Sequence, residues 1–116
     1  MGDIHWANLP TVEGSVQGGR RPVLVLGNDA ALRHSSIVTV VPITSRMDKA
    51  DKIPTHIVTR VLQMPSVILP EQVQTISKSR LEDRICSLPK KDFFEVMNCV
   101  LYQFGFKKSK EESFRI

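Results

Sequence analysis

From Asp3 the chain alternates apolar and polar positions through DIHWANL, and Pro10 closes this first predicted strand because proline has no N–H to give to a ladder. Residues 10–20 carry no apolar period and predict a loop. Pro22 then opens a strand through Val23, Leu24, Val25 and Leu26, a run apolar on both faces, as expected of a central strand covered on both sides. Gly27, Asn28 and Asp29 supply turn chemistry, and SIVTVVPIT at 36–44 is a further β-branched run, interrupted by Pro42 and ending at Thr44. A polar loop is predicted for SRMDKADKIP, after which THIVTRV (55–61) restores the alternation and SVIL (66–69) follows Pro65. EQVQTISKSRLEDRICSL begins extended, and its segment 80–88 predicts a last short strand. From Lys90 the period changes: Phe93, Met97, Val100, Leu101 and Phe104 fall on one face of a helix that Gly105 stops.

Five to seven short strands and one terminal helix predict a mainly β fold, either a small barrel or a strongly bent sheet with a helix laid on it. A length of 116 residues fits one domain, taken as 1–106, followed by a charged tail at 107–116 (KKSKEESFRI). With 41% hydrophobic and 24% charged residues and no apolar run near membrane-spanning length, a soluble protein without a membrane partner is expected. The start MGDIHWANL lacks the basic and apolar regions of a secretory signal, which points to the cytoplasm.

Candidate chemistry narrows by elimination. Cys86 and Cys99 lie 13 residues apart, outside C-x-x-C spacing, and read as buried thiols. His5, His34 and His56 fall on separate elements, so no metal or cofactor is expected. The net charge of +4 is compatible with a polyanionic partner without requiring one. GSVQGGRRP (14–22) has neither the lysine-serine ending nor the strand-loop-helix setting of a phosphate-binding P-loop, and no serine occupies a G-x-S-x-G elbow. Gly14, Gly18 and Gly19 therefore read either as hairpin residues or as hinges of a loop that folds over a ligand. What remains is Arg21 at a strand entry and Thr44 at a strand exit. If their strands pair antiparallel, both can face one groove, and a guanidinium with a hydroxyl is a phosphate-binding combination.

In order, the chain carries GDIHWANL, EGSVQGGRRPVLVLGND, IVTVVPIT, KIPTHI and SVILPEQVQTISKSRL. From Gly2 to about Phe104 this series closely resembles the MazF/PemK family of bacterial toxin endoribonucleases. The resemblance rests on a Gly-Asp start, a G-S-x-Q-x-G-x-R-P junction, a threonine closing the third strand, and a Glu-Gln pair followed by a basic stretch. It implies an SH3-like small barrel (CcdB/PemK type) with a C-terminal α-helix, a homodimer, and metal-independent cleavage of single-stranded RNA, chiefly mRNA. It also implies a cognate antitoxin whose acidic tail occupies the RNA groove. The family's catalytic arginine falls on Arg21 and its catalytic threonine on Thr44. RNA contacts are implied for Gln72 and for Ser15, Gln17, Gly18, Asn28, His56 and Arg80, with Arg20 at a variable position as a phosphate contact. Val16 stands where family members often carry a glutamate able to take the 2′-hydroxyl proton, and Glu13 is the substitute if the loop bends.

On this reading the substrate's own 2′-hydroxyl attacks, giving a 2′,3′-cyclic phosphate and a 5′-hydroxyl, while Arg21 stabilises the phosphorane and Thr44 orients the phosphate. Trp6 reads as core before it reads as a base-stacking residue, and the dimer interface is expected on the PVLVL strand or on the helix face around Phe93 and Met97. Two other functions stay open at this point: a non-catalytic RNA-binding barrel, and a CcdB-like gyrase poison. The ending Phe114-Arg115-Ile116 lacks the Trp-Gly-Ile associated with the latter.

Overall fold

A computed structural model describes residues 2–10, 14, 18–49 and 55–106. The tail at 107–116 and part of the 46–54 loop lie outside the described residues. The strands are β1 (Asp3–Leu9), β2 (Gly19–Leu26), β3 (Ile37–Thr44), β4 (Ile57–Thr59), β5 (Ser66–Ile68), β6 (Gln74–Ser77) and β7 (Leu81–Ser87), joined by a short helix α1 (Asp29–His34) and closed by α2 (Lys90–Gln103). All pairings are antiparallel, in the order β4-β5-β3-β2-β1-β7, with β6 also on β3. Because β6 pairs with β3 while β7 pairs with β1, the 3-10 turn Lys78–Arg80 that joins them brings the two ends of the sheet together. The result is the curled β fold with a C-terminal helix that the resemblance implied.

The apolar run of β2 explains the middle of this sheet. Val23, Leu24, Val25 and Leu26 are all buried, between β1 on one side and β3 on the other. Their alternation feeds two cores. Leu24 and Leu26 join Ile4, Val41, Ile43 and Ile68 beneath Phe93, Val96 and Val100 of α2. Val23 and Val25 join Ala7, Leu9, Val38, Val40 and Ile76 on the other face. Val23–Leu26 and Phe93, named above as dimer surfaces, are thus buried within the protomer, while Met97 is only partly buried.

Pro42 is tolerated within β3 because it falls where the strand changes neighbours. The β6 ladder ends at Val40↔Gln74 and the β5 ladder begins at Ile43↔Ile68, and between them the Pro42 carbonyl accepts from Leu69 N at 3.1 Å.

Several boundaries differ from the sequence pattern. The strand expected over 55–61 shrinks to three residues, and β2 starts three residues before Pro22. The helix α1 follows instead of a simple turn: Asn28 Oδ1 caps it by accepting from Ala31 N at 2.9 Å, with Asp29 in its first turn and Arg33 and His34 in its last. Six residues are too few to show a helical period, and Leu32 is its one residue packed on the core. At the other end, α2 stops at Gln103. Gly105 takes φ +94°, its N–H donates to the Tyr102 carbonyl, and Phe106 N donates to the Leu101 carbonyl, a Schellman closure that turns Phe104 outward, 65% exposed. Cys86 and Cys99 are half-buried rather than fully buried.

Candidate active site

The entry of β2 and the exit of β3 meet in one cleft of about 620 Å³. Arg20, Arg21, Thr44 and Arg46 line it, with Trp6, Ser66 and an apolar wall that includes Ile43, Leu62 and Ile85. The register explains why: β2 and β3 pair through Leu26↔Thr39 to Val23↔Pro42, and Arg21 and Thr44 each lie two residues beyond that last pair, at the same end of the two strands.

Each of the two side chains is held by a local contact. Arg21 is half-buried, and its Nε donates to the Gly18 carbonyl at 3.0 Å, so the loop backbone orients the guanidinium. Nη1 and Nη2 find no hydrogen-bond partner among the described residues and remain available to an anion. Burial lowers the Arg21 pKa, since desolvation disfavours its charged form, but from a starting value so high that the group stays protonated at neutral pH. Thr44 is 4% exposed, and its Oγ1 accepts from Arg46 N at 3.2 Å. An oxygen fixed as acceptor in this way keeps its own proton to donate. Gly19, with φ +77°, supplies the left-handed step by which the loop enters β2 just before these arginines.

Arg20 extends the cationic rim. Its Cζ lies over the Trp6 ring, 4.2 Å from the centroid, and its Nε donates to Glu82 Oε1 at 2.8 Å. Across β1, Arg80 Nη1 donates to the Asn8 carbonyl at 2.9 Å, and Asn8 is the β1 partner of Arg20, so Arg80 borders this end of the sheet. Among the described residues that line the cleft there is no carboxylate and no histidine.

A family model for PemK-like, MazF-like toxins of type II toxin-antitoxin systems matches residues 1–104. The chain belongs to this toxin family. Endoribonuclease MazF of Staphylococcus saprophyticus is 42% identical over 108 residues, which is 90% of this chain and 89% of that protein. Among solved structures, MazF from Deinococcus radiodurans superposes with a TM-score of 0.78 at 27% identity, covering 90% of this chain and 94% of the other. A MazE-MazF structure from the same organism gives 0.73 at 28% identity, over 91% and 95% of the two chains. The Mycobacterium tuberculosis toxin MazF-mt6 gives 0.74 at 26%, over 90% and 98%.

Within this family fold, the residues named from sequence do not all converge. Arg20, Arg21 and Thr44 share the cleft, Gly18 orients Arg21, and Arg80 flanks the rim. Asn28 lies at the opposite end of β2, where its side chain caps α1. His56 Nε2 and Glu71 Oε2 are 2.6 Å apart in a largely buried pair that ties the start of β4 to the 3-10 turn Pro70–Gln72, and Gln72 closes that turn against α2. Neither His56 nor Gln72 lines the cleft. Ser15 and Gln17, like Val16 and Glu13, lie outside the described residues. Arg46 and Ser66 are cleft residues that sequence reasoning missed. Arg46 follows Thr44 by two positions in a stretch read only as a polar loop, and Ser66 is brought in by β5 pairing with β3.

Proposed function

We propose that this protein is an endoribonuclease toxin that cuts single-stranded RNA at the Arg21–Thr44 cleft and is neutralised by a cognate antitoxin. The observation that carries the reading is the placement of an oriented guanidinium and a buried hydroxyl on facing strand ends of one cationic cleft, in a chain of the PemK/MazF family. The Nη1 and Nη2 donors of Arg21 match two oxygens of a phosphodiester, and the Thr44 hydroxyl supplies a third donor from below. In the reaction the ribose 2′-hydroxyl gives its proton to water as its oxygen bonds to the adjacent phosphorus, the P–O5′ bond breaks, and the departing 5′-oxygen takes a proton from water, leaving a 2′,3′-cyclic phosphate and a 5′-hydroxyl. Charge builds on the phosphoryl oxygens as this happens, and donors already aimed at them lower the barrier. Arg21, always charged, serves as a stabiliser of the developing phosphoryl charge and not as a base.

The same cationic cleft suits the acidic segment of an antitoxin, which would exclude RNA by occupying Arg21 and Arg46. A homodimer in the cytoplasm completes the reading. Among the described residues no helix is long and apolar enough to cross a membrane. The test is incubation of the purified protein with mixed-sequence RNA in EDTA. Discrete fragments with 5′-hydroxyl ends are expected, and RNA that stays intact while shifting on a gel would reduce the protein to a binder.

A further inference from the structure

Arg20 was expected from sequence to contact phosphate, but its surroundings fit a different task. In the ladder Trp6 pairs with Pro22 and Asn8 with Arg20, so Trp6 and Arg20 are diagonal neighbours on one face of adjacent strands. Pro22, opposite the indole, has no long side chain to cover it, and Arg20 reaches across to lie 4.2 Å from the ring centroid. Glu82 Oε1 holds the guanidinium there through Nε at 2.8 Å and offsets its charge. The side chain is nonetheless 55% exposed and lines the cleft next to Arg21. One side of the guanidinium is therefore backed by tryptophan and its Nε is fixed by a carboxylate, while among the described residues more than half of the side chain stays exposed, leaving an open planar face.

We propose that Arg20, backed by Trp6 and held by Glu82, is a stacking platform for an unpaired nucleobase beside the scissile phosphate. This rests on the endoribonuclease reading above and adds a specificity-determining residue to it. A phosphate at Arg20 would have to compete with Glu82 for a charge already paired. A base asks only for the open planar face, and both guanidinium planes and aromatic rings stack unstacked bases in single-stranded recognition. The worth of one such stack corresponds to about 5- to 100-fold in affinity.

Trp6 is the sole tryptophan of the chain, so its emission reports on this site directly. The experiment titrates wild type, R20K and R20A with a mixed-sequence 2′-fluoro RNA, which lacks the attacking hydroxyl, across a range of salt concentrations. The expected result is quenching of Trp6 emission on binding by wild type, and a loss of about 5- to 100-fold in affinity for R20K, which keeps the charge but not the plane. Wild-type affinity in R20K would overturn the platform. So would a fall of about 0.7 in the R20A salt slope, the signature of a lost single-strand phosphate contact. Failure of wild type to bind any RNA would overturn the endoribonuclease reading itself, a result separable from either of those.

Discussion

Arg21 and Thr44 each lie two residues beyond Val23↔Pro42, the last pair of the β2–β3 ladder, and both line the cleft. The pairs that lead to them, Leu24↔Val41 and Val25↔Val40, are buried, and the Gly18 carbonyl orients the Arg21 guanidinium from the loop. Arg21→Ala is expected to cut RNA cleavage by about 100- to 1000-fold, the usual loss for one transition-state donor. Arg21→Lys should recover little, because a single ammonium cannot span two phosphate oxygens. Cleavage rates under single-turnover conditions, with thermal melting as the control for folding, decide this; an Arg21→Ala protein that cuts at the wild-type rate removes Arg21 from the mechanism.

Thr44 separates hydroxyl from shape. Thr44→Val keeps the β-branched volume of a site only 4% exposed but removes the donor, and should cost about 10- to 100-fold in rate, the range for a hydrogen bond to a charged group. Thr44→Ser keeps the oxygen and should retain most activity. A valine variant as active as serine would make Thr44 a packing residue only.

The sequence was readable here wherever periodicity and burial coincide. The alternation in DIHWANL predicted β1 to the residue, and the doubly apolar run Val23–Leu26 predicted the central strand. That Arg21 and Thr44 line one cleft was legible because the apolar pattern places them beside the Val23–Leu26 run and at the end of β3. The misses have different causes. α1 is shorter than two helical turns and is stabilised by its Asn28 cap, which no helical period announces. The His56–Glu71 pair was not legible because Glu71 is 15 positions away and is brought close only through the β4–β5 pairing. Arg46 was hidden in a charged stretch in which nothing but the direction of β3 distinguishes one arginine from its neighbours.

Arg46 gives the cleft a third cation, paired at its exposed edge with Asp48 Oδ2 at 3.0 Å. An exposed pair of this kind adds little stability. Arg46→Ala should therefore leave the melting temperature nearly unchanged while weakening RNA binding and lowering the slope of log K against log salt by about 0.7, one single-strand phosphate contact. Binding isotherms at several salt concentrations would show it; an unaltered slope would mean that the Arg46 side chain does not meet the strand.

Gly2 explains the Gly-Asp start of the chain in backbone terms. Its φ is +84°, and a Cβ there would lie 3.4 Å from Phe93 Cδ1 and 3.6 Å from the Leu88 carbonyl, while the Gly2 carbonyl accepts from Leu88 N at 2.8 Å. Gly2→Ala should destabilise the fold by about 1–2 kcal/mol through the left-handed conformation alone. Denaturant unfolding measures this, and a neutral result would show that the N-terminal strand can shift without loss.

Asp3 predicts how stability responds to acid. Its Oδ1 accepts from Ser87 Oγ at 2.8 Å and faces Arg84 Nε at 3.2 Å, pinning the start of β1 to the end of β7. The Ser87 hydrogen bond is the largest influence and lowers the Asp3 pKa; burial opposes it, and the Arg84 hydrogen bond and charge add to the lowering. A carboxylate whose folded pKa lies below its unfolded value binds protons more readily in the unfolded chain. Its stabilisation is therefore full above the unfolded value, near pH 4, and disappears as pH falls through the lower folded value. Melting temperatures of wild type and Asp3→Asn are expected to differ at pH 6 and to converge toward pH 2. Asn cannot ionise and binds Arg84 less well, so the gap above pH 4 reports this clasp alone. A gap that stays constant down to pH 2 would mean that the Asp3 charge contributes nothing to the β1–β7 seam.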